Sequence, residues 1–150
     1  MIFLTALNWF TSKKEYLENA VGSTDDPEEI ERRRRLASRF WNSIDNDVWM
    51  VLIMAAITAI ICYAYFIPFN NKPGRHYLPS YCAIFGAFSL LLSFGATLFY
   101  CSLIVKISYD ISFVMKVAAI NTVYSLLLYL ILSFIFCNYS STNAYRWFKI

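Results

Sequence analysis

Three long apolar runs organise the last two thirds of the chain. They cover residues 49–67, 80–105 and 117–137, and none contains Asp, Glu, Lys, Arg or His. A helix needs about 20 apolar residues to cross the hydrocarbon core of a bilayer. Backbone polar groups in lipid must pair internally, which favours a helix for each run. The pattern therefore predicts three transmembrane helices. The second run is long enough to tilt or to emerge into the interface.

The first third reads differently. Ser12-Lys13-Lys14-Glu15 fits a capping box, and Gly22 suits a helix end. Asp26-Pro27-Glu28-Glu29 is a second start: Asp26 can cap, Pro27 suits the first helical position, and the acids favour the positive end of the helix dipole. This second helix is expected to run from 27 to about 43, or to continue into the first span. Glu28 with Arg32, Glu29 with Arg33 and Glu31 with Arg35 stand at i,i+4 in the favourable order. Leu36, Ala37, Phe40, Trp41 and Ile44 form one apolar face. Such a helix would lie on the membrane surface or against another cytoplasmic element.

Two connections remain. Residues 68–79 contain Pro68, Pro73 and Pro79, and Pro73-Gly74 signals a type II turn, so a short, stiff external turn is expected. In residues 106–116, Lys106, Ser108, Asp110 and Ser112 alternate with Ile107, Tyr109, Ile111 and Phe113. That period suggests a short strand or extended interfacial segment, with a frayed helical continuation as the other option. The resulting expectation is an all-α, integral membrane helical bundle. Residues 1–48 form a cytoplasmic N-terminal helical segment and residues 49–150 a three-span domain.

Charge sharpens this division. Charged residues make up 15% of the chain, against about 25% in soluble domains. Residues 1–48 hold seven Lys/Arg and nine Asp/Glu, leaving that segment net −2; residues 49–150 hold six Lys/Arg and one acid, Asp110. A net-negative head disfavours nucleic-acid binding. Lys/Arg near the span ends collect on the N-terminal side, seven against four when that side is inside. The expected topology is N-terminus inside and C-terminus outside, in a bacterial inner membrane. Residues 1–7 are apolar but lack a basic leader and a small-residue cleavage site, so the first span is expected to direct insertion.

Candidate functional features lie on helix faces. In the third span, Asn121, Ser125, Tyr129 and Ser133 recur at i,i+4 in an otherwise apolar helix. Polar groups avoid lipid, so this stripe is expected to meet protein through interhelical hydrogen bonds, or to line a path at an oligomer axis. The second span offers small residues, including Gly86, Ser89, Ser93 and Thr97, for close helix approach within one chain or between chains. The Arg32, Arg33, Arg34, Arg35 run, with Arg39, Phe40 and Trp41, is expected to set topology, pair along its helix, and dock onto an acidic partner or anionic lipid. His76, the sole histidine, reads as a bystander in the external turn. Trp49 fits an inner aromatic belt, and Tyr77, Tyr81 and Trp147 an outer one. Asn138-Tyr139-Ser140 matches a glycosylation sequon that hugs the membrane.

Reaction chemistry finds no foothold. There is no HExxH, GxSxG or phosphate-loop motif, and no paired carboxylates in the membrane half. Cys62, Cys82, Cys101 and Cys137 form no CxxC and have no nearby histidine, so no metal or cofactor is expected. They read as small apolar core residues, with a Cys82–Cys137 disulfide as the competing reading. The leading expectation is a non-enzymatic membrane subunit that self-associates or anchors a larger assembly, such as a bacterial secretion, injection or defence complex. Its partners would be the lipid bilayer, other membrane subunits or copies, and a soluble cytoplasmic protein at the N-terminal helices. A small channel or pore-forming effector lined by the third-span stripe, and an immunity protein against a pore-forming toxin, are the competing readings.

Overall fold

The computed structural model describes residues 12–22, 26–45, 47–70, 79–105 and 111–139. These form five α-helices and no strand: α1 (Lys13–Val21), α2 (Pro27–Asp45), α3 (Val48–Ala64), α4 (Pro79–Val105) and α5 (Ile111–Cys137). A π-helical turn, Tyr65–Phe69, extends α3. The Pro73-Gly74 turn, Arg75, His76, Tyr77, Ser140, Trp147, the cationic tail and residues 1–7 lie outside the described residues.

The helix starts follow their capping chemistry. Ser12 Oγ accepts from the Glu15 N–H at 3.2 Å, and Asp26 Oδ1 accepts from the Glu28 N–H at 3.0 Å. Each satisfies one of the donors that a first helical turn leaves unpaired. Gly22 ends α1 with φ +62°, a backbone conformation that costs glycine no Cβ clash. The second helix stops at Asp45 rather than running into the span. Asp47 restarts the chain as the cap of α3, its Oδ1 accepting from the Trp49 N–H at 2.9 Å.

Pro68 explains the end of the first span. Proline offers no N–H and crowds the carbonyl four residues back. The helix widens here instead of breaking: the Asn70 N–H reaches the Tyr65 carbonyl, five residues back, at 3.1 Å. Pro68 thus belongs to the span's last turn, not to the connection that follows.

The third span begins at Ile111, six residues before the apolar run. The reason is visible in the burial. Phe113, Val117 and Ile120 are buried at helical spacing, whereas Ile111 is 71% exposed. Residues 111–116 are therefore helical, not extended; residues 106–110 lie outside the described residues. At 1.5 Å per residue the 27 residues of α5 span about 40 Å. That exceeds a hydrocarbon core of about 30 Å, so α5 either tilts or extends beyond it.

Val48–Phe69, Ser80–Leu103 and Ile111–Cys137 are each long and apolar enough to cross a membrane. The three pack on one another in a bundle with an inverted pattern. Leu91, Phe99, Ile60 and Ile131 are more than half exposed, while Thr58, Ser89, Ser93 and Ser125 are fully buried. Apolar side chains point outward and hydroxyls inward, an arrangement that suits lipid rather than water as the surrounding solvent.

The amphipathic face of α2 is covered by its own chain. Ala37, Phe40, Trp41 and Ile44 join Tyr16 of α1, Met50 of α3, Cys101 of α4, and Phe113, Val117 and Ile120 of α5 in one buried cluster. Its centre is aromatic. The Phe113 ring lies 4.3 Å from Tyr16, 5.3 Å from Trp41 and 5.5 Å from Phe40, centroid to centroid. These separations are those of favourable tilted and edge-to-face ring pairs. The N-terminal helices are thus clasped onto the end of the bundle.

Candidate functional site

The polar stripe of α5 lies at the centre of the bundle. Asn121, Ser125, Tyr129 and Ser133 are all buried, and each meets another helix. Asn121 Nδ2 donates to Thr97 Oγ1 of α4. Ser125 Oγ lies 2.9 Å from both Thr58 Oγ1 of α3 and Ser93 Oγ of α4. The Tyr129 hydroxyl donates to the Cys82 carbonyl of α4 at 3.0 Å. Ser133 faces the Cys62 thiol of α3 at 4.0 Å.

A hydroxyl carries one hydrogen, which orders the chain of bonds. Thr58 donates to the Met54 carbonyl at 2.9 Å, within its own helix. Ser125 must then donate to Thr58, and Ser93 must donate to Ser125. Ser125 is the only residue through which a hydroxyl from α3 and one from α4 are joined to α5 at normal hydrogen-bond distance among the described residues.

The small residues of α4 serve this junction. Gly86, Ser89 and Ser93 turn inward, and a Cβ on Gly86 would stand 3.2 Å from Tyr129 Cε1. The glycine lets the tyrosine ring approach the α4 backbone closely. Beside Ser93 and Thr97, the space bounded by Met50, Met54 and Tyr100 has no volume for a water molecule. The stripe itself is buried against the other two helices of its own chain. Asn121 Oδ1 is buried with no hydrogen-bond partner among the described residues.

Two contributors, Thr58 and Asp47, escaped the sequence reading, which offers Thr97 only as a small residue for close helix approach. Thr58 and Thr97 complete the hydrogen-bonded ladder, and Thr58 is the lone Ser/Thr in the first apolar run. Asp47 holds a second bond beyond its capping role: the Tyr100 hydroxyl donates to Asp47 Oδ2 at 2.7 Å, tying α4 to the start of α3. An acid placed directly before an apolar run is a legible cap signal; its distant tyrosine partner is not.

The basic run divides into paired and free members. Arg33 pairs with Glu29 and Arg35 with Glu31. Glu28 and Arg32 do not close the third expected pair. Arg33 also reaches the Val21 carbonyl at 3.5 Å, linking α2 to the end of α1. Arg32, Arg34 and Arg39 are exposed and make no ion pair among the described residues. Phe40 and Trp41, expected at a docking surface, are buried in the aromatic clasp instead, 8% and 2% exposed. Their face has a partner within the chain.

All four cysteines are free thiols, so Cys82 and Cys137 form no disulfide. No group of three or more His, Cys, Asp or Glu side chains among the described residues could hold a metal.

Comparison with protein-family models, curated proteins and solved structures finds no match to the chain. Its functional reading rests on its own residues.

Proposed function

We propose that the protein is a non-enzymatic membrane subunit that anchors a larger assembly, presenting its N-terminal helices to a soluble cytoplasmic partner. The observation that carries this reading is the aromatic clasp. Tyr16, Phe40, Trp41 and Phe113 fix α1 and α2 to the three-span bundle, leaving the exposed cations Arg32, Arg34 and Arg39 on the outside of a held platform. A helix pair needed only as a topology signal has no use for such a rigid mount.

Anchoring is favoured over self-association. Gly86, Ser89, Ser93, Asn121 and Ser125 are engaged within the chain, so the residues best suited to join copies are already occupied. The same engagement takes away the polar lining that a pore at an oligomer axis would use. The cation distribution supports a bacterial inner membrane with the N-terminus inside and the C-terminus outside.

Purification in mild detergent tests the reading. A soluble protein that co-purifies, and is lost when Arg32 and Arg34 are both changed to Gln, is the expected result. Elution as a lone monomer under conditions that retain the fold would remove the basis of the proposal. Topology is checked with Asn71→Cys and Ser141→Cys: both should label from outside the cell, and protection of both would reverse the orientation.

A further inference from the structure

The corner where α2 turns into α3 holds a surface groove of about 730 Å³, lined by Arg39, Asn42, Ser43, Asp47, Val48 and Trp49. Its depth relative to a bilayer follows from the fold. Val48 and Trp49 open the first span and are 65% and 68% exposed, projecting outward where the hydrocarbon must begin. Tryptophan favours this level because its ring is apolar and its N–H is wet. One side of the groove is thus set at headgroup height by the span itself.

The other side carries cations. Arg39 is exposed and makes no ion pair among the described residues. Lys13 reaches over from α1, its Nζ donating to Asn42 Oδ1 at 3.0 Å. Arg32 and Arg35 line an adjoining groove with Arg39, where Glu28 and Glu31 also stand and Glu31 pairs with Arg35. Asp47, the acid in the groove's lining, is already engaged. Asp47 Oδ1 accepts from the Trp49 N–H and Oδ2 from the Tyr100 hydroxyl, so both oxygens are turned to the protein.

We propose that this corner binds the headgroup of an anionic phospholipid in the adjoining leaflet, with Arg39 and Lys13 facing its phosphate and Trp49 beside its acyl chains. The guanidinium of Arg39 matches phosphate oxygens in a fork geometry, and Ser43 adds a hydroxyl at the same face. The groove falls within the usual size range of small-molecule sites. This site shares Arg39 with the partner-docking platform but does not depend on that reading.

The test uses the full-length chain in mild detergent and native mass spectrometry, with phosphatidylglycerol or phosphatidylcholine added at equal concentration. Preferential retention of phosphatidylglycerol is expected. Arg39→Gln should weaken that retention about fivefold, the share of one surface cation near an anionic membrane, and Lys13→Gln should do so in the same direction. Arg34→Gln is the matched control. It removes the same charge from the same helix at an exposed residue that lines neither groove, and should leave retention unchanged. Equal losses from Arg39→Gln and Arg34→Gln would reduce the effect to bulk charge and overturn the site. So would equal retention of the two lipids by the native chain, or capture of an acidic protein at this corner with no lipid preference. All three side chains are exposed, and matching thermal melts would establish that the variants fold.

Discussion

Ser125 offers the sharpest test of the bundle interior. It is fully buried and joins α5 to both neighbours. Ser125→Ala removes two interhelical hydrogen bonds without adding volume. Such bonds average about 0.6 kcal/mol in membrane proteins, so the loss should be about 1 kcal/mol. Ser125→Leu removes the same bonds and forces extra carbon atoms into filled space, which costs a further 1–3 kcal/mol or so. The two variants should therefore differ about 5- to 150-fold in their unfolding equilibrium constants. Unfolding in mixed micelles of mild detergent and increasing dodecyl sulfate, followed by near-ultraviolet circular dichroism, reads this difference. Val123→Leu is the outward-facing control; its side is 57% exposed, and a change within about 0.5 kcal/mol is expected. If Ser125→Leu proves as stable as Ser125→Ala, Ser125 faces lipid or an opening, and the packed junction described above is wrong.

Three further outcomes follow from named contacts. Gly86→Val should destabilise the bundle by about 1–3 kcal/mol by pushing Tyr129 off α4, whereas Gly95→Ala should be neutral or stabilising by up to about 1 kcal/mol, because nothing lies within 4 Å of the added carbon; paired melts in detergent would show the contrast. Trp41→Ala should cost about 3–5 kcal/mol of docking, seen as rapid tryptic cutting at Arg32–Arg39 while α3–α5 remain intact, and unchanged cutting would deny the clasp. Tyr100→Phe should cost about 1–2 kcal/mol through its lost bond to the Asp47 carboxylate; in an Asp47→Asn background the same change should cost less, and additivity in the double-mutant cycle would refute the pairing.

The spans were legible because lipid imposes a simple demand: about 20 residues without charge, helical throughout. The stripe on α5 was legible for a related reason, since Asn121, Ser125, Tyr129 and Ser133 share one side of any helix. Periodicity names a face and not the partner that covers it. Hence Thr58, which meets that face from α3, went unseen, Thr97 on α4 stood out only as a small packing residue, and the choice between neighbouring helices and a neighbouring copy stayed open. Phe40 and Trp41 show the same limit. Their amphipathic pattern is plain in the sequence, but the ring that fills it, Phe113, comes from a stretch whose polar alternation resembled a strand. The start of α5 was hidden because polarity marks where hydrocarbon ends, and a helix held by tertiary contacts can continue beyond that level.

The clasp also imposes an order of events during synthesis. Trp41 leaves the ribosome about 70 residues before Phe113, its ring partner. At roughly 5–20 residues per second, the apolar side of α2 waits about 4–14 seconds for its cover. Docking must also wait for the third span to enter the bilayer, because Val117 and Ile120 complete the same cluster from within that helix. The first helices made are thus among the last to be seated, and the seating of α2 reports that every span has arrived.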